Sequence, residues 1–275
     1  MTEKCYCQFM PFNCTSLFLG NFYSHKHHNY ISSLFLPEVS SIKITMCSFL
    51  TGPWNDLLYC PEINTNFDPN LKKFHEWKSE FENLFVNTRS MPSCLIFFCD
   101  RNSIRVAKSL LKHYIDCFPD NRIFVWGGIL DLLTICLVKN NEHFCRRRLS
   151  CASIFISGVN MRTWILTLNE DCTTNEEITK KLTDFKMVVE LKQHSIGFIY
   201  TSNFRFHKFN CLESIIFKQI FPKLPVFYMC GITGYAGDLN DILETISNMT
   251  PKNHWTKDNY LDTVIMTISY LRYST

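Results

Sequence analysis

Several side chains in this sequence carry reactive groups at spacings that invite chemistry. Cys211 falls close to the start of an expected helix, where free N–H groups would stabilise a thiolate, and His207 stands four residues earlier. A thiol–imidazole pair also needs spatial alignment and an orienting third group, and nearness in sequence supplies neither, so Cys211 reads as a structural thiol. Glu170 and Asp171 are adjacent, and adjacent residues of an extended chain point apart. They suit a turn and a helix cap better than a paired acid and base. No G-x-S-x-G nucleophile elbow occurs, and no catalytic residue is expected.

Binding chemistry has three further candidates. Gly231, Gly234 and Gly237 follow an apolar run, but G-x-x-G-x-x-G is neither the dinucleotide fingerprint nor a phosphate loop, which leaves a turn or bulge. His25, His27 and His28 with Cys5, Cys7 and Cys14 supply zinc-type donors. Structural zinc sites use paired ligands in two separated groups, whereas here the closest pair is C-x-C and no C-x-x-C occurs. Residues 1–33 therefore read as an irregular, solvated lead-in, and no metal ligand and no cofactor are expected. Arg146-Arg147-Arg148, flanked by Glu142 and without a basic extension, reads as a solvated loop.

The elements that must position these groups follow from hydrophobic spacing. Residues 34–36 and 42–49 read as strands around Pro37, and 51–70 as a loop punctuated by Gly52, Pro53, Pro61 and Pro69. Phe74, Trp77, Phe81, Leu84 and Phe85 give helical spacing over 71–86. A buried strand at 94–99, a helix at 103–118 facing inward with Ile104, Ala107, Leu111, Tyr114 and Phe118, and a strand at 122–126 ending at Gly127-Gly128 make a strand–helix–strand unit. Residues 151–157 and 163–168 suggest a hairpin about Gly158-Val159-Asn160. Thr174 and Glu177 have capping-box spacing, with Ile178, Leu182, Phe185 and Val189 inward. A strand at 195–201 precedes a helix begun by Asn210 and Glu213, with Leu212, Ile215, Ile216 and Ile220 inward, stopped by Pro222. A strand at 226–230 runs into a glycine loop at 231–237, 238–246 could pass for a helix, and 260–271 reads as a last strand.

Composition bounds the rest. The chain has 275 residues, 46% hydrophobic and 15% aromatic, which excludes a disordered protein and allows a large core. Its 28 basic residues nearly balance 25 acidic ones, so the positive footprint of a dedicated nucleic-acid binder is missing. Most of the fourteen cysteines lie in apolar segments, as small buried hydrophobes with reduced thiols. No signal-peptide pattern and no apolar run long enough to span a bilayer are present, which points to cytoplasm or nucleus.

From Leu34 onward an ordered series resembles the FIST-domain family. Its carriers are Leu36-Pro37-Glu38-Val39-Ser40-Ser41-Ile42-Lys43-Ile44, the strand–helix–strand unit ending in Gly127-Gly128, and Leu168-Asn169-Glu170-Asp171. Ile196-Gly197-Phe198-Ile199-Tyr200 and Ile216-Phe217-Lys218-Gln219-Ile220-Phe221-Pro222-Lys223-Leu224-Pro225 are the most specific. The family's C-x-G-R-G segment appears as Ser202-Asn203-Phe204-Arg205-Phe206, keeping only the arginine, and its G-N-G-E-I-G loop as Gly231-Ile232-Thr233-Gly234-Tyr235-Ala236.

The resemblance implies an α/β (α+β) fold with mixed sheets and helices packed outside, in two interlocked halves at 34–150 and 151–275. It implies a non-catalytic module that recognises a protein substrate for an SCF-type (Skp–cullin) ubiquitin ligase feeding proteasomal degradation. Contact with the ligase would run through an upstream F-box or a bridging protein, since no recognisable F-box precedes the similarity. The alternative it offers is a sensory domain for a small ligand such as an amino acid, in a pocket enclosed by Ser202, Asn203 and Arg205 on one side and Gly231, Thr233, Gly234 and Tyr235 on the other. Neither nucleic acid nor membrane is an expected partner.

Overall fold

The apolar run from Cys94 to Cys99 shows no alternation, so a strand built from it must be covered on both faces. The computed structural model, which describes residues 16–22, 29–35, 42–50, 75, 78, 79, 82, 91–117, 123–131, 133–139, 142–209, 212–248 and 262–270, supplies both covers. The protein is a mixed α/β structure of two sheets with helices outside. β1 (Ser16–Phe22), β2 (Asn29–Phe35) and β3 (Ile42–Leu50) come first. Then follow β4 (Ser93–Asp100), α1 (Ile104–Cys117), β5 (Phe124–Leu130), β6 (Leu133–Lys139), β7 (Glu142–Gly158), β8 (Arg162–Leu168) and α2 (Asn175–Val188). The last part holds β9 (His194–Ser202), α3 (Asn203–Phe209), α4 (Leu212–Ile220), β10 (Val226–Gly231), β11 (Thr233–Asp238), α5 (Leu239–Asn248) and β12 (Thr263–Tyr270). No helix among the described residues is long and apolar enough to cross a membrane.

One sheet runs β11-β5-β4-β7-β3, and the other β10-β9-β12-β8. Each contains one parallel pair, β4–β5 and β9–β10, joined through helices; their other pairings are antiparallel. The first half of β7 carries a further ladder to β6, which continues through β1 to β2. The two sheets lie face to face. Cys94, Ile96 and Phe98 of β4 point into the layer between them, with Trp126, Phe198, Tyr200 and Met266. Leu95, Phe97 and Cys99 point the other way, under α1 and α5. The second sheet's outer face, including Ile199 and Ile265, is covered by α2 and α4. The order of layers is helix, sheet, sheet, helix, and every residue from Cys94 to Asp100 is buried.

Several sequence expectations need correction. Residues 1–33 are not irregular throughout: β1 and most of β2 fall within them and pair antiparallel. The segments at 151–157 and 163–168 do not pair as a hairpin: β7 joins β3 and β4, while β8 joins β12. The turn closed by Met161 N donating to Gly158 O (3.2 Å) passes the chain from one sheet to the other. β7 also begins at Glu142, so Arg146-Arg147-Arg148 lies in a strand rather than a loop, and the 150/151 boundary falls inside that strand. β5 runs through Gly127-Gly128 instead of ending there, and the expected glycine loop is largely the strand β11. On α4, Ile215 is exposed, whereas Glu213, Ile216 and Phe217 are buried. The expected loop at 51–70, Phe118 and Asn210 lie outside the described residues; of the expected helix at 71–86, residues 75, 78, 79 and 82 are described and helical.

The Thr174–Glu177 box forms as its spacing requires. Glu177 N donates to Thr174 Oγ1 (3.2 Å), and Glu177 Oε2 accepts from the N–H groups of Thr173 and Thr174, both at 3.0 Å. Those backbone donors, first Thr174 and then Thr173, hold the Glu177 carboxyl below its ordinary value. A carboxyl depressed on folding adds stability above its unfolded pKa and loses it as pH falls through its folded one. Glu177→Gln should therefore be less stable than the wild type at neutral pH, with the gap closing on acidification below about pH 4. Urea midpoints of both proteins across that range measure it; a gap that does not shrink would remove the electrostatic account.

Candidate functional site

Parallel strands of α/β sheets gather ligand groups at their carboxyl ends, because the connecting loops converge there. Here the carboxyl ends of β4, β5, β9 and β10 meet. Ile232 N donates to Ile129 O (2.8 Å), Asn203 Nδ2 faces Asp131 Oδ2 at 3.5 Å, and Cys230 Sγ donates to Asn203 Oδ1 at 3.0 Å. Asp100, fully buried, accepts from Asn102 N (2.9 Å) and Leu133 N (3.4 Å). Arg101 Nη1 lies 4.0 Å from Asp131. Burial raises the Asp131 carboxyl above its ordinary value; Arg101 opposes that shift and Asp100 adds to it.

Ser202, Asn203 and Arg205 belong to this junction. Ser202 ends β9, and its Oγ accepts from Arg205 N at 3.2 Å, which turns the strand into α3. Arg205 is 0% exposed. Its Nε donates to Glu213 Oε1 (2.5 Å), Nη1 to Asn169 O (3.0 Å) and Nη2 to Cys172 O (2.5 Å), and the guanidinium lies over Phe209, 4.9 Å from the ring centroid. This explains Ile215: Glu213 turns inward to meet the cation, and the two-residue step, a little over half a turn of helix, carries Ile215 to the opposite, exposed face. The arginine clamps α3, α4 and the 169–172 turn together.

Gly231, Thr233, Gly234 and Tyr235 are all buried, and the last three belong to the β11 ladder with β5. Tyr235 Oη donates to Phe97 O (2.8 Å) on the helix-covered side. The glycines make room for Tyr200. A Cβ at Gly128 would lie 2.3 Å from the Tyr200 ring, at Gly231 1.9 Å from its hydroxyl, and at Gly234 2.7 Å from its ring. That hydroxyl donates to Ile129 O at 2.6 Å. The space between the two nominated segments is thus taken by Tyr200, a residue that sequence reasoning placed only in a strand. The one signal was its tyrosine at the end of an otherwise apolar run.

His207 lies in α3, its ring 5.5 Å from that of Phe206, and Cys211 is outside the described residues, as are Cys5, Cys7, Cys14, His25, His27 and His28. Glu170 and Asp171 lie in the turn closed by Cys172 N donating to Asn169 O (3.0 Å), while the helix cap is Thr174. Cys94, Cys99, Cys117, Cys151, Cys172 and Cys230 are free thiols, and burial pushes Cys94 up to about 12. Among the described residues, the grouping able to hold a metal stands away from this junction, on α1 and the helical residues before β4.

The opposite end of the sheets is apolar. Gly158 N donates to Pro92 O (3.1 Å), Lys192 Nζ donates to Asn160 O (3.0 Å), and Arg162 pairs with Glu190. These contacts bring the β7–β8 turn, the start of β4 and the α2–β9 connection side by side. Phe124, exposed, lines a groove of about 270 Å³ with Met161 and Trp164, and Met91 and Val159 are exposed close to its lining residues in sequence. Met187, Val188 and Leu191 stand exposed at the end of α2, where Leu191 lines a second groove of about 510 Å³ with Pro225 and Tyr270. Comparison with protein-family models and with curated proteins gives no match to this chain.

Proposed function

We propose that the chain is a non-catalytic recognition module that binds a protein partner through its apolar end. The observation that carries this reading is the placing of exposed side chains. Seven large apolar residues are exposed among the described ones; Phe124 and Leu191 each line a groove, and Met91, Val159, Met187 and Val188 stand within four residues in sequence of groove-lining positions. Soluble monomers rarely expose contiguous apolar surface beyond a few hundred square ångströms unless it binds something. Rim charges such as Lys192 and Lys223 complete the usual anatomy of an apolar centre with a polar border. The FIST resemblance supplies the class of partner: the FIST region of F-box only protein 22 selects substrates for a cullin–RING ubiquitin ligase. The small-ligand alternative has less support, since Tyr200 and the Arg205 clamp fill the space it would use.

Affinity capture from cells with neddylation blocked, followed by mass spectrometry, tests both levels. The wild type should recover Skp and cullin subunits together with a client. Phe124→Asp with Leu191→Asp should keep its melting temperature and lose the client at least about tenfold, as expected for interface anchors. Recovery of neither ligase subunits nor a client would overturn the ligase role, and an unchanged client in the double variant would remove the apolar end as the docking face.

A further inference from the structure

We infer that Glu82, His113 and Cys117 form a divalent-metal site of the zinc class with one coordination position open to solvent. His113 and Cys117 are four residues apart on α1, which puts both on one face of the helix, one turn from each other. Glu82 reaches the same point from the helical residues that precede β4. Cys117 Sγ lies 3.7 Å from His113 Nε2 and 3.9 Å from Glu82 Oε1, and the three donor atoms fall within 4.8 Å of one another.

Those separations are close to what coordination demands. Bonds of roughly 2.0–2.3 Å at tetrahedral angles hold neighbouring ligand atoms roughly 3.5 Å apart. Both sulfur distances already fit. The His113 Nε2–Glu82 Oε1 contact of 2.5 Å must widen by about 1 Å to admit an ion. The Glu82 side chain, 41% exposed, has room to move that far.

Donor chemistry selects the ion. A thiolate, an imidazole and a carboxylate together suit zinc, whereas magnesium and calcium take oxygen sets. Three protein ligands leave a fourth position, and the exposed Cys117 side of the cluster opens it to water or to a donor from another molecule. Lys78, the cation beside this group, stands one helical turn before Glu82. Metal binding displaces the thiol proton, and the resulting thiolate and the carboxylate bring two negative charges to the ion.

The same side chains invite comparison with a thiol–imidazole–carboxylate nucleophile. In that arrangement the two ring nitrogens face different partners, one the nucleophile and one the carboxylate. Here the carboxylate bonds Nε2, and the sulfur is nearer to Nε2 (3.7 Å) than to Nδ1 (3.9 Å). The carboxylate and the sulfur are both nearest to Nε2, so that one ion placed there can meet all three donors.

Cobalt(II) titration of the full chain, stripped of metal by a chelator under reducing conditions, tests the site. One equivalent should bind with a thiolate-to-cobalt charge-transfer band and the strong visible absorption of a tetrahedral ion. Cys117→Ser and His113→Asn should each abolish that band and weaken binding by more than about a hundredfold, with circular dichroism unchanged. Because Cys117 is exposed, its replacement leaves the core untouched. A titration with no such band, a band that persists in Cys117→Ser, or one lost instead when Cys5, Cys7 and Cys14 are replaced by serine would each overturn the assignment.

Discussion

Replacing Gly127 with alanine should leave little or no folded protein. Gly127 sits inside β5, opposite Phe97 of the parallel neighbour β4. A Cβ built there would lie 1.8 Å from the Phe97 carbonyl oxygen and 2.7 Å from its carbonyl carbon. The obstruction is backbone, so no rotamer change relieves it. Phe97 is held from both directions: its strand pairs with β5 and β7, and its oxygen also accepts from Tyr235 Oη. Extra atoms in a filled core cost about 1–3 kcal/mol when side chains can adjust. A clash with a central ladder should exceed that, at about 4 kcal/mol or more, a large share of an ordinary domain's stability. Gly237→Ala is the matched control, since its Cβ would meet Ile242 and Asp241 at ordinary contact distances of 3.6 and 3.8 Å. Soluble yield and urea midpoints of the two variants decide the matter; similar values for both would sink the close-approach account.

The second large loss is expected at Arg205. Its guanidinium and the Glu213 carboxylate are 0% and 1% exposed, and a charge so placed cannot recover hydration when its partner leaves. Arg205→Ala strands Glu213 and removes the donors from two backbone carbonyls, so the cost should reach about 3–5 kcal/mol. Arg205→Lys keeps the charge but not the fork, and should fall between wild type and alanine. Arg205→Met with Glu213→Leu removes both charges and should recover part of the loss. It cannot recover all of it, because Asn169 O and Cys172 O still lose their donors. A double-mutant cycle from urea unfolding gives the coupling directly; a loss under about 1 kcal/mol in Arg205→Ala would show that the clamp is not structural.

What the sequence discloses depends on how far away the cause lies. The Thr174–Glu177 box involves residues three apart, and it forms as its spacing requires. β4 was readable because cover on both faces leaves an unbroken apolar run. The turn at Gly158 was also visible, but a turn does not disclose which strands its flanks will join, and β7 and β8 go to different sheets. Gly231 and Gly234 looked like loop residues because their reason is remote: Tyr200, more than thirty residues earlier in the chain, fills the space above them. Ile215 fits the apolar spacing of α4 and is still exposed, because Glu213 turns the helix toward Arg205. Ser202 and Arg205 come together in the clamp, whereas Asn203 faces Asp131 and Cys230 instead. The pairing of Glu82 with His113 was invisible for the same reason of distance, the two lying 31 residues apart.

The strand order sets a timetable for synthesis. β12, near the end of the described chain, lies between β8 and β9, and β11 closes the β5 side of the other sheet. While the ribosome is still adding residues before Thr263, β8 and β9 have no partner between them, and before Thr233 the β5 edge is open. Neither sheet can be completed in the order in which it is made, so an emerging chain displays unpaired apolar strands of the kind that associate with one another. Both sheets are complete only after Thr263–Tyr270 has been made, and chaperones that shield nascent strands should raise the yield.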